Sequence, residues 1–346
     1  MKVFKILNIL IVLFVFSIPV FSFAEDELSP GDWVIALSNS YYGNTWRKQM
    51  VDAFVEAAEE AKAKGLIKDY IVVNGDGTIN QQISQMNSLI LQKPDAICIN
   101  AASPTALNGV IEKAHESGIK VMIAFDSIAT SPYAYKFDFD FVEHGKKVAG
   151  YVGERLDGKG NVIVIRGVSG SAPDQQMYEG QMMVLENNPE IKIAATVLGE
   201  ASATVAQRAI ANILPSLPKI DGVITQGGGD AYGAAQAFEA YGGPLPIIVG
   251  DGSAEFINWW IQKKKEIGYE TYSINSTPGI GGAAFWVALN ILNGVDVPME
   301  LKCTFAEVYQ DEVEQYADMK PGTIISPKFT NEYVIENIIK PAREKK

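Results

Sequence analysis

The feature that most constrains this chain is an alternation of two periodicities. From Trp33 onward, short apolar runs of strand length are separated by stretches whose apolar residues recur at helical spacing. Strand-like runs fall at 33–38, 70–74, 96–100 and 120–125. Between them, Met50, Phe54, Ala57, Ala58 and Ala61 share one helix face, and Ile79, Ile83, Met86 and Ile90 share another. Thr78 and Gln81 have capping-box spacing. Ser103-Pro104 predicts the N-cap and first-turn proline of a third helix. A strand–helix–strand order with apolar strands calls for a parallel sheet covered on both faces.

The pattern breaks over 127–140, a turn-rich aromatic stretch without a clear period, and then restarts. Helices are predicted at 141–156, 174–187, 203–214 and 230–240. Strands are predicted at 161–166, 192–198, 222–226 and 247–250. The sequence thus predicts two α/β units of similar size.

In open parallel sheets, ligands bind beyond the carboxyl ends of the strands. Those positions carry Asn39, Asn100, Asp126, Gly227 to Gly229, Asp251 and Asn275. Asn and Asp also form turns and helix caps. Their recurrence after successive strands in both halves instead suggests a site for a hydroxylated molecule, which such paired donors and acceptors suit. Tyr41, Asn44, Trp46 and Arg47 follow the first strand. An aromatic face such as Trp46 suits the C–H face of a sugar ring, with core packing as the competing reading. Arg47 is the nearby cation.

Catalytic chemistry is weakly represented. His115 and His144 lie far apart without metal-ligand spacing, and no G-x-S-x-G elbow is present. Asp126 and Asp251 would have to act as an acid–base pair across a cleft for a glycoside-processing enzyme. Gly227-Gly228-Gly229 lacks the Gly-Lys-Ser/Thr of a phosphate loop, and close helix packing accounts for Gly279-Ile280-Gly281-Gly282 better than a dinucleotide fingerprint does. No cofactor and no metal is implied.

Charge and the N-terminus set the compartment. The net charge is −12 and no basic stripe is evident, which argues against nucleic acid. Lys2 and Lys5 precede an uncharged run to Phe23, and Ser22-Phe23-Ala24 has the small residues of a cleavage site. This predicts a signal peptide over 1–24, rather than a retained anchor, and a periplasmic location. Its removal takes away two lysines and no acids, bringing the charge to −14. Cys98 and Cys303 have the right number for one bridge, but Cys98 sits in an apolar run and two free thiols are favoured.

Taken together, Ala36-Leu37-Ser38-Asn39-Ser40 with Trp46, Ile97-Cys98-Ile99-Asn100, Val121 to Asp126 and Val249-Gly250-Asp251-Gly252 resemble the ribose-binding-like branch of the type I periplasmic binding proteins. The resemblance runs from about Trp33 to Val308. It implies two Rossmann-like lobes with parallel sheets, joined by a three-segment hinge near 138–142, 275–277 and 303–308. The first lobe would comprise 31–140 and 276–304, and the second 141–275 and 305–346.

The resemblance further implies a sugar or polyol held between the lobes, stacked on Trp46. Asn100 and Asp126 would bind it from the first lobe, and Asp251 and Asn275 from the second lobe and hinge. The partner would be the permease of an ABC importer, with a chemoreceptor or sensor as an alternative or additional partner, and the receptor would be a monomer. The chain departs from the family at four places. Ser127 and Gln175 stand where arginines are expected, Gly227 where an asparagine is, and an aromatic near Ala201 is missing. These departures leave room for a larger sugar or another polar solute.

Overall fold

The computed structural model describes residues 28–344, so the expected signal peptide lies outside the described residues. The first unit runs β1 (Val34–Asn39), α1 (Thr45–Ala63), β2 (Asp69–Asn74), α2 (Ile79–Gln92), β3 (Ala96–Asn100), α3 (Asn108–Glu116), β4 (Val121–Phe125) and β5 (Tyr135–Asp138). The second runs α4 (Phe141–Arg155), β6 (Gly160–Arg166), α5 (Ala172–Glu186), β7 (Ile191–Leu198), α6 (Ala203–Ile213), β8 (Gly222–Ile224), α7 (Asp230–Tyr241), β9 (Ile247–Ile248), α8 (Ala254–Ile267) and β10 (Ser273–Asn275). Then come α9 (Ile280–Leu292), β11 (Glu300–Lys302) and β12 (Ala306–Val308).

Two parallel sheets result. The first has the order β2-β1-β3-β4-β5-β11, all parallel. The second has the order β7-β6-β8-β9. It continues through a parallel bridge between Gly250 and Ser273 to β10, which pairs antiparallel with β12. Both sheets reverse their winding beside their first strand, β1 or β6. That reversal opens a crevice at the carboxyl ends. The chain passes between lobes after β5, after β10 and after β11.

Packing explains the local choices. Helices α1 and α9 cover one face of the first sheet and meet closely: a Cβ on Gly281 would lie 2.2 Å from the Met50 carbonyl. The glycines of 279–282 are therefore packing residues. β5 falls within the stretch 127–140, which as a sequence has no period. It is only four residues long and half-buried at one end. The predicted helix start at Ser103-Pro104 is instead a turn, and α3 begins at Asn108. The Pro104 carbonyl accepts from Thr130, so it does not enter a helical ladder. Cys98 and Cys303 are buried free thiols.

The tail corrects one expectation. Residues 305–346 do not all belong with the second lobe. Val313 and Ile325 pack into the second lobe's core, but Ile324, Phe329, Val334, Ile335, Ile338 and Ile339 join the core of the first. The crossing is a strap. Thr323 O and Ile325 N pair with Ala254 N and Gly252 O at 2.8 and 2.9 Å in the second lobe. Gln49 of α1 holds both backbone groups of Ile324 at 2.8 and 2.9 Å. The apolar spacing of 334–339 demanded a buried face, and α9 with β11 supplies it. Ile339 is fully buried, so Ile339→Ala should destabilise the protein by about 2–5 kcal/mol. In urea unfolding the midpoint should fall clearly; an unchanged midpoint would contradict this placement of the tail.

Candidate functional site

The carboxyl ends of the two sheets face a partly open cleft that holds a cavity of about 80 Å³. Its first wall begins with register. Parallel pairing sets Asn39 beside both Asn74 and Asn100. Asn39 gives its amide to Asn74 Oδ1 and the Tyr41 carbonyl, each at 2.8 Å, and turns its own oxygen toward Arg47 at 3.4 Å. Asn44 caps α1 by accepting from Arg47 N at 2.8 Å. This cap starts the helix so that Trp46 and Arg47 face the cleft. Trp46 donates its indole N–H to Ser276 O at 2.8 Å, which fixes the ring across the hinge. The Arg47 guanidinium lies 5.6 Å from the Trp46 ring centre.

Opposite Arg47 stands Asp126, the residue after β4. Its φ of +56° is in the left-handed region, a conformation that Asp tolerates better than most residues and that cleft positions often hold. Asn100 donates to its Oδ2 at 3.1 Å. Burial pushes the Asp126 carboxyl up to about 6, against the downward pull of Arg47 and the bond from Asn100. Burial likewise lowers the pKa of Arg47, partly offset by Asp126. Both side chains are buried, yet among the described residues they form no ion pair within 4.0 Å. The Asn100 oxygen is also buried without a partner. The first lobe thus presents a cation and an anion to one space, with an unpartnered amide oxygen behind them.

The second wall is more apolar and its polar groups are mostly engaged. Phe141, Val168, Pro173 and Met177 line it with Gly167, Gly227 and Gly228. Asp174 is held by a bidentate pair with Arg166, at 2.7 and 2.6 Å, and by Gly167 N at 3.1 Å. Gln226 accepts from Gly167 N at 2.8 Å and donates to Asp174 O at 3.2 Å.

Of the residues expected at the site, Asn44, Trp46, Arg47 and Asp126 line the cleft, while Asn39 and Asn100 stand directly behind it. Tyr41 is half-buried outside the lining and bridges to Asp76. Gln175 is exposed, because the turn of α5 aims Asp174 inward in its place. Asp251 does not reach the cleft lining. Its four bonds come from Gly229 N, Ala231 N, Ser253 N and Ser253 Oγ, at 2.6 to 3.2 Å, so it orders the glycine turn at the start of α7 and holds Ser253, the residue that caps α8. Asn275 ties the hinge, donating to Ser276 O and Ile325 O. The sequence reading missed Asp174 and Gln226. Gln226 closely follows β8, where the strand-end rule would have found it; Asp174 lies in the first turn of α5, where only the phase of the helix reveals it.

Two doubly wound lobes facing one another across a cleft with one charged and one more apolar wall are the architecture of a cleft-binding receptor. The chain belongs to the family described as periplasmic binding protein domain, whose model matches residues 35–296. It is similar to the xylitol-binding protein of Mycolicibacterium smegmatis, with 29% identity over 57% of each chain. It also resembles the ribose import binding protein of Bacillus subtilis, with 23% identity over 57% of this chain and 63% of that one. In both, the match spans less than two thirds of the relative's length. A crystal structure of an ABC transporter solute binding protein from Thermobispora bispora shares 38% identity with a TM-score of 0.84, covering 90% of this chain and 96% of that one. Among the described residues no helix is long and apolar enough to cross a membrane.

The electrostatics of the first wall can be tested without a ligand. Asp126 should titrate near 6 by carboxyl carbon NMR, and Arg47→Met should move it further up, since Arg47 favours the ionised form. A titration near the ordinary 4, unmoved by the substitution, would contradict the geometry.

Proposed function

We propose that this protein is an exported periplasmic receptor that captures a neutral, hydroxyl-rich small molecule, a sugar or polyol, between its lobes and presents it to the permease of an ABC importer. The observation that carries the reading is Arg47 and Asp126 buried on one wall of the cleft without forming an ion pair. A hydroxyl can donate to Asp126 and its neighbour can accept from Arg47. One cation and one anion make the site neutral overall, which suits an uncharged ligand. Charge-assisted bonds of this kind are the stronger ones. The names of the relatives, for xylitol and for ribose, support the same ligand class.

Hinge closure supplies the capture step. Trp46, Arg47 and Asp126 share the cleft with Val168, Asp174 and Gly228 of the other lobe, so a ligand that touches both walls would favour closure. A monomer suffices, since both walls come from one chain. Catalysis is not part of the proposal: Asp251, which an acid–base pair would need, spends its oxygens on the chain itself. A glycoside incubated with the protein should be recovered intact.

A thermal-shift screen of the mature protein against sugars and polyols should raise the melting point with at least one member. For that ligand, Arg47→Met and Asp126→Asn should each weaken binding by roughly 10- to 100-fold, the loss of a charge-assisted bond worth about 1.5–3 kcal/mol. Equal affinity in all three proteins would refute the site.

Acidity gives an independent test. A carboxyl with a pKa of about 6 is ionised at pH 7.5 and only about one-tenth ionised at pH 5, so calorimetric affinity should fall by up to about tenfold over that interval. His144, lowered by burial to about 4, stays neutral throughout. The fall should vanish in Asp126→Asn; a pH dependence that survives the substitution would place its origin elsewhere.

A further inference from the structure

A second, partly open compartment of about 400 Å³ adjoins the cleft. Asn44, Ala201 and Gly228 line both spaces, so the two are neighbours. Small residues in close contact form part of the wall they share: Ala201 has a φ of +51°, Gly228 one of +72°, and a Cβ on Gly228 would come within 2.6 Å of the Ala201 Cβ. The outer compartment, like the inner, draws its walls from both lobes. Thr45 and Lys48 come from α1, Thr204 from α6, and Tyr232 and Gln236 from α7.

The chemistry of the two spaces differs. Polar groups on the inner second wall are tied to one another, whereas the side chains of Thr45, Lys48, Thr204, Tyr232 and Gln236 make no hydrogen bond or ion pair among the described residues. Lys48 and Glu255 bring one charge of each sign, and Glu255 already accepts from Gly322 N at 2.7 Å. The compartment thus offers donors and acceptors without a net charge, a lining suited to hydroxyl groups.

We infer that the ligand has two linked hydroxylated units, a disaccharide or a glycosylated polyol, with one unit between Arg47 and Asp126 and the other in the outer compartment. This rests on the proposed function and specifies its substrate class. Closure over such a ligand would engage both lobes twice, once at each unit.

The test is calorimetry on the mature protein with matched pairs: D-xylose and xylobiose, D-glucose and cellobiose, myo-inositol and galactinol. At least one two-unit member should bind at least about tenfold more tightly than its one-unit partner. Thr204→Trp, a substitution at an exposed helix position, should shrink that ratio by about tenfold or more, with an unchanged melting point showing that the variant is folded. One-unit ligands that bind as well as or better than their two-unit partners, or a ratio that Thr204→Trp leaves intact, would overturn the inference while leaving the proposed function standing. Silence from both members of every pair would overturn the hydroxylated-ligand reading, and this extension with it.

Discussion

Two opposite charges, Arg47 and Asp126, are buried in one cleft without touching, and much of the structure serves to keep them so. Burying an unpaired charge is costly, and burial is the leading cause of the shifted pKa of each. They cannot simply collapse together, because each is held from behind. Asn39 and the Asn44 cap position Arg47, and Asn100 with the left-handed backbone at Asp126 positions the carboxylate. A bridging hydroxylated molecule would offset the burial of both. Under the proposed function, that offset is what would favour the filled cleft over the empty one.

The two-sheet architecture makes that arrangement possible. Each sheet reverses direction beside its first strand, so each contributes a row of polar residues at one edge. The hinge turns those edges toward each other. Trp46 bonded to Ser276, and Asn275 bonded to Ser276 and Ile325, link the hinge directly to the cleft and to the strap of the tail. The strap adds a fourth connection between lobes whose three others follow β5, β10 and β11. Since it is hydrogen-bonded to Gln49 on one side and to Gly252 and Ala254 on the other, opening must either bend it or break those bonds.

The alternation of periodicities made the fold legible, because a strand buried on both faces and a helix covering it leave distinct apolar patterns. β5 was missed: Tyr135-Lys136-Phe137-Asp138 alternates at strand period, but four residues inside a turn-rich stretch are a short signal, and the parallel pairing of β5 with β4 and β11 decides it. The first-lobe site was legible because Asn100 and Asp126 directly follow apolar strands and the Asn44 cap fixes the face of α1. The second-lobe site was less so. Asp251 has the composition of a ligand residue, but the positive-φ turn of Gly227 to Gly229 brings backbone N–H groups to its oxygens, and no local pattern announces that closure. Gln175 and Asp174 are neighbours in sequence, and only the phase of α5, set by the Ser171 cap, decides which one faces inward.

The most direct test of the central claim is a crystal structure of the protein with its tightest-binding sugar or polyol. The account predicts a ligand oxygen within hydrogen-bonding distance of the Arg47 guanidinium and another within reach of the Asp126 carboxylate, with the lobes closed over both. A ligand bound elsewhere, for instance in the surface groove beside Tyr151, Tyr272 and Tyr309, with the Arg47–Asp126 space left as it is, would contradict it.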